Sequence, residues 1–163
     1  MKNISFIPGK IVSTDGARRF VYAARLLSKT ISFTNGCFDI LHEGHIFSLT
    51  QAAKEADYLI VGLNADSMVT QLKGPGRPVN NEHSRALILA SLVMVDLVVI
   101  FEEETPLNLI KELMPDVLVK GGDYTTATIA GAKEVIENGG RVVINPLLEG
   151  FSTSMLIHKI KEK

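Results

Sequence analysis

The stretch Ile31-Ser32-Phe33-Thr34-Asn35-Gly36-Cys37-Phe38-Asp39-Ile40-Leu41-His42-Glu43-Gly44-His45 changes its periodicity part-way along, and that change decides the fold. Ile31 to Thr34 alternates apolar and polar residues as a strand does, whereas Ile46 to Tyr58 repeats apolar residues at helical spacing. Between them lies a tight turn, with a helix opening near Glu43 or Gly44. Gly36 lets the backbone turn and approach a ligand closely, and the free N–H groups and positive dipole end of the helix offer a place for phosphate. His42 and His45 stand three apart, so both rings flank that helix terminus, and Gly44 removes a side chain that would block a nucleotide. A lone histidine beside a helix is usually structural; His-x-Gly-His directly after strand-Gly-x-Phe-Asp is a compound signal for function. Zinc is not expected, because the zincin pair stands four apart and brings a third ligand, which has no place here.

Outward from this centre the same alternation repeats. Tyr58-Leu59-Ile60-Val61-Gly62-Leu63 is a nearly continuous apolar run ending at Asn64, as in a parallel strand buried on both sides. Asp96 to Phe101, Asp116 to Lys120 and Arg141 to Ile144 read as three more strands. Helices are expected from Asp15 as N-cap, from Asp66 to about Leu72, from Asn81 through Leu92, from Thr105-Pro106 to Pro115, from about Ile129 to Glu137, and from Ser152 through Ile160. Residues 1–15 carry few periodic apolar positions and read as an arm on a single domain spanning 1–163. Five strands interleaved with helices predict a doubly wound, Rossmann-like parallel sheet with helices on both faces, binding its ligand at the carboxyl ends of the strands. Neither Gly-x-Gly-x-x-Gly after a strand nor a P-loop occurs, so dinucleotide oxidoreductases and P-loop kinases lose their main support.

Several segments fall at that carboxyl edge. Lys73-Gly74-Pro75-Gly76-Arg77-Pro78 excludes a regular element and is expected to be a mobile loop whose cations either are plain surface charge or clamp a triphosphate. Arg85, near the first turn of its helix, opposes the helix dipole, which a bound anion would explain. Asp66 is either a helix cap or a ligand contact. Lys120-Gly121-Gly122-Asp123-Tyr124 follows the fourth strand and is a second expected contact. Ser152-Thr153-Ser154 suits both an ordinary N-cap and a phosphate cradle. Glu102-Glu103-Glu104 reads as a solvated helix entry, and His83 as a surface residue.

Composition narrows the classes. The chain has 163 residues, 46% of them hydrophobic, enough for one substantial core, and a formal net charge of −1. With a pI of about 6.4 and no polybasic run, it offers nothing to nucleic acid. Its single cysteine, Cys37, excludes an intramolecular disulfide and reads as a small packing residue; no signal peptide or membrane span is evident, so a cytoplasmic protein is expected.

Asn35-Gly36-Cys37-Phe38-Asp39 leading into His42-Glu43-Gly44-His45 resembles the signature of the cytidylyltransferase-like nucleotidyltransferases. With Asn64-Ala65-Asp66, Leu72-Lys73-Gly74, Arg77 to Asn80, Leu118 to Tyr124 and Gly150 to Ser154, the likeness runs from about Lys10 to Ile160 and is to the adenylyltransferase half of the bifunctional heptose kinase/adenylyltransferases, without the kinase half. It implies transfer of AMP from ATP to a heptose 1-phosphate, giving ADP-heptose and pyrophosphate for a lipopolysaccharide core or another surface glycan. A cytidylyltransferase for a small polyol phosphate such as glycerol 3-phosphate is the alternative. That branch carries an Arg where this chain has Leu147, so its substrate contacts are not transferred. The resemblance implies His42, His45 and Lys73 as catalytic residues. It places Thr34, Asn35, Gly36, Phe38, Gly44, Arg77, Arg85, Lys120, Gly121, Ser152, Thr153 and Ser154 along the nucleotide, and Asp39, Asn64, Asp66 and Asp123 about the sugar substrate. Mg²⁺ is expected to enter with ATP, touched at most through water by Asp39 or Asp66, with no protein metal site. A homodimer or higher homo-oligomer is expected.

Overall fold

The computed structural model describes residues 4–122, 124–148 and 150–162. Five strands, β1 (Ile31–Gly36), β2 (Tyr58–Asn64), β3 (Leu97–Phe101), β4 (Val117–Gly121) and β5 (Arg141–Asn145), form one parallel sheet in the order β3-β2-β1-β4-β5. Helices α1 (Phe6–Gly9), α2 (Thr14–Leu26), α3 (Glu43–Ala53), α4 (Asp66–Lys73), α5 (Glu82–Ala90), α6 (Leu107–Leu113), α7 (Ala132–Glu137) and α8 (Thr153–Lys161) connect or follow them, with a 3₁₀ turn at Thr126–Thr128. The doubly wound parallel sheet expected from the sequence is the sheet observed.

Strand alternation divides the core between the two faces. Ile31, Phe33, Ile60, Val99 and Leu118 pack with α2, α6 and α7, while Leu59, Val61, Leu63, Val98, Val117 and Val119 pack with α3 and α5. A residue pointing either way from the sheet thus meets apolar cover, which is why these strands read as unbroken apolar runs.

Topology opens the crevice. The chain lays β2 and β3 on one side of β1 and then crosses to lay β4 and β5 on the other, so the switch point falls between β1 and β4. There the two strands register only Ser32 with Val117 and Phe33 with Leu118, whereas β1 and β2 register six pairs from Ile31 with Tyr58 to Gly36 with Leu63. Thr34, Asn35 and Gly36 therefore lack β4 partners, and the carboxyl ends of β1 and β4 line a gap.

Element boundaries differ from expectation where side chains bond locally. Ser13, not Asp15, caps α2 by accepting from Gly16 N at 3.2 Å. Residues 4–15 are not a free arm: α1 forms there, Val12 N donates to Val98 O and Val98 N to Lys10 O, extending the sheet edge by the Ile11–Val98 bridge. Asp66 is the first residue of α4 rather than its cap, which is Ala65. α7 starts only at Ala132 because Gly131, at φ 84°, interrupts the expected run from Ile129. Among the described residues no helix is long and apolar enough to cross a membrane.

Candidate active site

Where β1 ends, Phe38 takes a left-handed φ of 45° and its ring lies over Gly36, where an added Cβ would meet Phe38 Cε2 at 3.1 Å. Gly36 thus accommodates its own turn as well as any ligand. His42 is extended and forms the N-cap of α3 without a side-chain cap bond, which leaves its ring to stack on its neighbours. His45 lies in the first turn, and the two rings stack with centroids 3.8 Å apart at 25°. Phe38 meets the His45 ring edge-on at 5.3 Å. Gly44 serves this stack: a Cβ there would meet His42 Nδ1 at 3.1 Å and Phe151 Cβ at 3.2 Å, so the glycine makes room for the His42 ring and for Phe151.

The stack is electrostatically unusual. Nδ1 of both rings is buried with no hydrogen-bond partner. Burial, and then the neighbouring His42, push His45 down to about 4, and burial lowers His42 as well. At neutral pH both rings are uncharged before a ligand binds. Because either tautomer leaves Nδ1 unbonded, the form with the proton on Nε2 is the one that presents a donor outward.

A cleft of about 690 Å³ surrounds the pair. Of the expected residues it is lined by Thr34, Asn35, Gly36, Phe38, Asp39, His42, Gly44, His45, Asn64, Lys73, Arg77, Lys120, Gly121, Ser152, Thr153 and Ser154. Lys120 spans the gap between β4 and β1, its Nζ donating to Asn35 Oδ1 at 2.9 Å and lying 5.4 Å from the centroid of the Tyr124 ring. Burial lowers its pKa, and no carboxylate among the described residues pairs with it. Ser152 caps α8 by accepting from Met155 N at 3.1 Å, and Thr153 Oγ1 donates to Ile40 O at 3.4 Å, so the amino ends of α8 and α3 converge. Two helix termini, two uncharged imidazoles, Lys120 and Lys73 together make a site for a polyanion.

Other expected ligand contacts have other tasks. Arg85 does not line the cleft: its guanidinium is buried, donating to Cys37 O at 2.6 Å, Asn80 O at 3.0 Å and Asp66 Oδ1 at 2.6 Å. The anion that offsets the Arg85 charge at the start of α5 is the half-buried Asp66 of the protein itself. Asp66 is likewise outside the cleft, held by Arg85. Asp39 touches the cleft, yet its carboxylate is fully buried and accepts from Arg77 Nε at 2.5 Å, Val79 N at 2.7 Å and Asn80 N at 3.1 Å. The Lys73–Pro78 loop is therefore anchored at its far end, by these bonds and by Thr70 Oγ1 donating to Arg77 O at 2.7 Å, instead of being mobile throughout. Asp123 lies outside the described residues.

Tyr124, in the expected second contact, lines the cleft, whereas sequence reasoning missed Ser48, Ala130, Phe151 and the Glu104-Thr105-Pro106 loop as cleft residues. Ser48 alone carried a signal, three residues after His45 on the same helix face. His83 and Glu102 to Glu104 are exposed, as expected. Among the described residues no group of three His, Cys, Asp or Glu side chains is arranged to hold a metal ion.

Compared with known proteins, residues 33–159 match the family described as cytidylyltransferase-like. The chain belongs to the cytidylyltransferase-like family. The family expected from Asn35 to Asp39 and His42 to His45 is thus the family found. This cytidylyltransferase-like chain is 52% identical over 151 residues to the bifunctional protein HldE of Mesorhizobium japonicum, covering 93% of the chain and 30% of the relative. It is 50% identical over 159 residues to HldE of Rhodospirillum rubrum, covering 98% and 32%. The chain thus spans about a third of the length of these curated relatives. Among solved structures it resembles the lipopolysaccharide core biosynthesis protein of Thermoplasma volcanium, with a TM-score of 0.60 and 27% identity over 74% of this chain and 97% of that one. A pantoate-beta-alanine ligase from Francisella tularensis shares the fold, with a TM-score of 0.59 at 16% identity over 94% of this chain and 78% of that one.

Proposed function

We propose that this protein transfers AMP from ATP to a heptose 1-phosphate, releasing pyrophosphate and forming ADP-heptose for the lipopolysaccharide core or another surface glycan. The observation that carries the reading is the stacked His42–His45 pair at the amino end of α3, facing a cleft lined by Lys73 and Lys120, neither of which has an ion-pair partner among the described residues. Membership of the family, the near 50% identity to proteins named HldE, and the likeness to a lipopolysaccharide core biosynthesis protein support it.

The sugar phosphate is already an anionic nucleophile, so the protein has to align it with the α-phosphorus and stabilise charge as pyrophosphate leaves; no covalent intermediate is needed. His42 and His45 donate from Nε2 to phosphate oxygens. The amino ends of α3 and α8, with the Ser152 and Thr153 hydroxyls, cradle the triphosphate. Lys73, at the last turn of α4, covers the leaving phosphates, with Arg77 beside it. Lys120, held by Asn35 at the switch point, meets an anion where β1 and β4 part, and Asn64 reaches the sugar side. Mg²⁺ would enter as part of the ATP substrate and there help to neutralise the phosphate charge. An ATP-dependent reaction of this kind belongs in the cytoplasm. Leu147, the position at which the resemblance departs from cytidylyltransferases acting on polyol phosphates, lines the cleft. A pyrophosphate-release screen crossing ATP and CTP with heptose 1-phosphates and glycerol 3-phosphate tests the reading: release with ATP and a heptose 1-phosphate alone supports it, and release only with CTP and glycerol 3-phosphate replaces it.

A further inference from the structure

Two buried charges next to the cleft, Asp39 and Arg85, are each held by three hydrogen bonds to protein groups. The Asn80 peptide is gripped from both sides, its N–H by Asp39 Oδ1 at 3.1 Å and its carbonyl by Arg85 Nε at 3.0 Å. Asn80 Nδ2 returns a bond to Asp39 O at 3.0 Å. Arg85 also fixes the carbonyl of Cys37, two residues before Asp39, and the side chain of Asp66 at the start of α4, whose own N–H donates to Glu82 Oε2 at 2.8 Å. Burial pushes the Asp39 carboxyl up, but the Asn80 and Val79 amides and the Arg77 guanidinium outweigh it and hold it below its ordinary value. Asp39 is therefore a carboxylate at neutral pH, paired with Arg77.

The spacing along the chain gives this network its consequence. Asp39 stands three residues before His42, and Arg77 four residues after Lys73, so the Asp39–Arg77 pair ties the two walls of the cleft close to their reactive side chains. Both ends of α4 are held: the start by Arg85 and Glu82, and the loop after Lys73 by Asp39 and by Thr70. Lys73 itself carries no ion pair among the described residues and is exposed on the cleft wall. An exposed lysine on a tethered helix end has a freedom set by the tether.

We propose that Asp39 and Arg85 are positioning residues for nucleotidyl transfer, holding the Lys73 end of α4 in register with the His42–His45 pair through Arg77 and the Asn80 peptide. The inference rests on the transfer reading given above, and deepens it: the residues that align the phosphates are themselves aligned by charges that never touch substrate. A displacement of about 1 Å at a reacting centre can cost on the order of a hundredfold in rate, which gives such a latch its value.

Asp39→Asn tests it selectively. The amide oxygen still accepts from Val79 and Asn80, whereas the amide nitrogen faces the donor Nε of Arg77 and breaks only that limb. In the full chain, two measurements are made beside the melting temperature: pyrophosphate release, and the rate of tryptic cleavage after Lys73 without substrate. The expected result is a fold melting within a few degrees of wild type, cleavage faster by about tenfold, and kcat lower by about tenfold or more with a smaller change in KM for ATP. In a Lys73→Ala background, Asp39→Asn should then cost less than about twofold, because its effect runs through Lys73. Should the amide variant not fold, Asn80→Ala, which removes only the bond to Asp39 O, is read in the same cycle. Losses that multiply in the double variant, or wild-type cleavage and turnover in the single one, would overturn the positioning role. A wild-type protein silent with every nucleotide and sugar phosphate would instead remove the transfer reading.

Discussion

Acid should destabilise this protein through His45, and the size of the effect follows from where the ring sits. His45 is stacked on His42, edged by Phe38, and has no partner at Nδ1, so the folded protein resists protonating it until about pH 4, against an ordinary value of 6.5. Between those two values the unfolded chain binds a proton that the folded chain refuses. Stability is therefore full above about pH 6.5 and falls as the pH drops towards 4, below which this group contributes no further slope. At about 1.4 kcal/mol per pH unit the ceiling is roughly 3 kcal/mol; because the half-buried ring remains partly reached by solvent, a loss of about 2 kcal/mol is expected. His42, lowered by burial, and Asp39, whose pairing holds it low, add slopes of the same sign, so the wild-type curve alone does not isolate His45. Urea unfolding of wild type and of His45→Gln, compared from about pH 7.5 to about pH 4.5, does so. The stability difference between them should shift in the variant's favour by about 2 kcal/mol over that range. A difference constant to within about 0.5 kcal/mol would refute the claim that the folded protein keeps this imidazole neutral.

Three further outcomes are expected. His42→Ala and His45→Ala should each fold and lower kcat by on the order of a hundredfold or more, the scale of losing one preorganised donor; near-normal pyrophosphate release from either folded variant would remove the pair from the chemistry. Lys73→Ala should lower kcat more than it weakens ATP binding, as steady-state rates and a nucleotide titration would register, while an effect confined to binding would make the lysine a ground-state contact. With heptose 1-phosphate fixed, kcat/KM for ATP should exceed that for CTP by roughly a thousandfold, since a pocket bonded to one base edge leaves groups unpaired against the other; equal rates would overturn the adenylyl specificity.

The residues themselves determined the sheet, the family and the pairing of two imidazoles at one helix end, because those rest on local rules. Alternation in Ile31 to Thr34 and the apolar runs at Tyr58 to Leu63 and Leu97 to Phe101 mark buried strands wherever they lie in space, and the His-x-Gly-His spacing fixes two rings on one helix terminus irrespective of the rest of the chain. The tertiary structure alone decided what each charge faces. Arg85 and Asp66 look like ligand contacts in sequence because an arginine in a helix's first turn and an aspartate past a strand both ask for a partner; only packing shows that each is the other's, at 2.6 Å. Asp39 reads as a substrate carboxylate until its oxygens are found on Arg77 and the Val79 and Asn80 amides, about forty residues away in the chain. Gly44 reads as clearance for a nucleotide, yet the missing Cβ leaves room for His42 and Phe151. A buried charge must find a counterpart, and sequence states the need without naming who meets it, since the Coulomb and desolvation energies that settle the matter act across space and not along the chain.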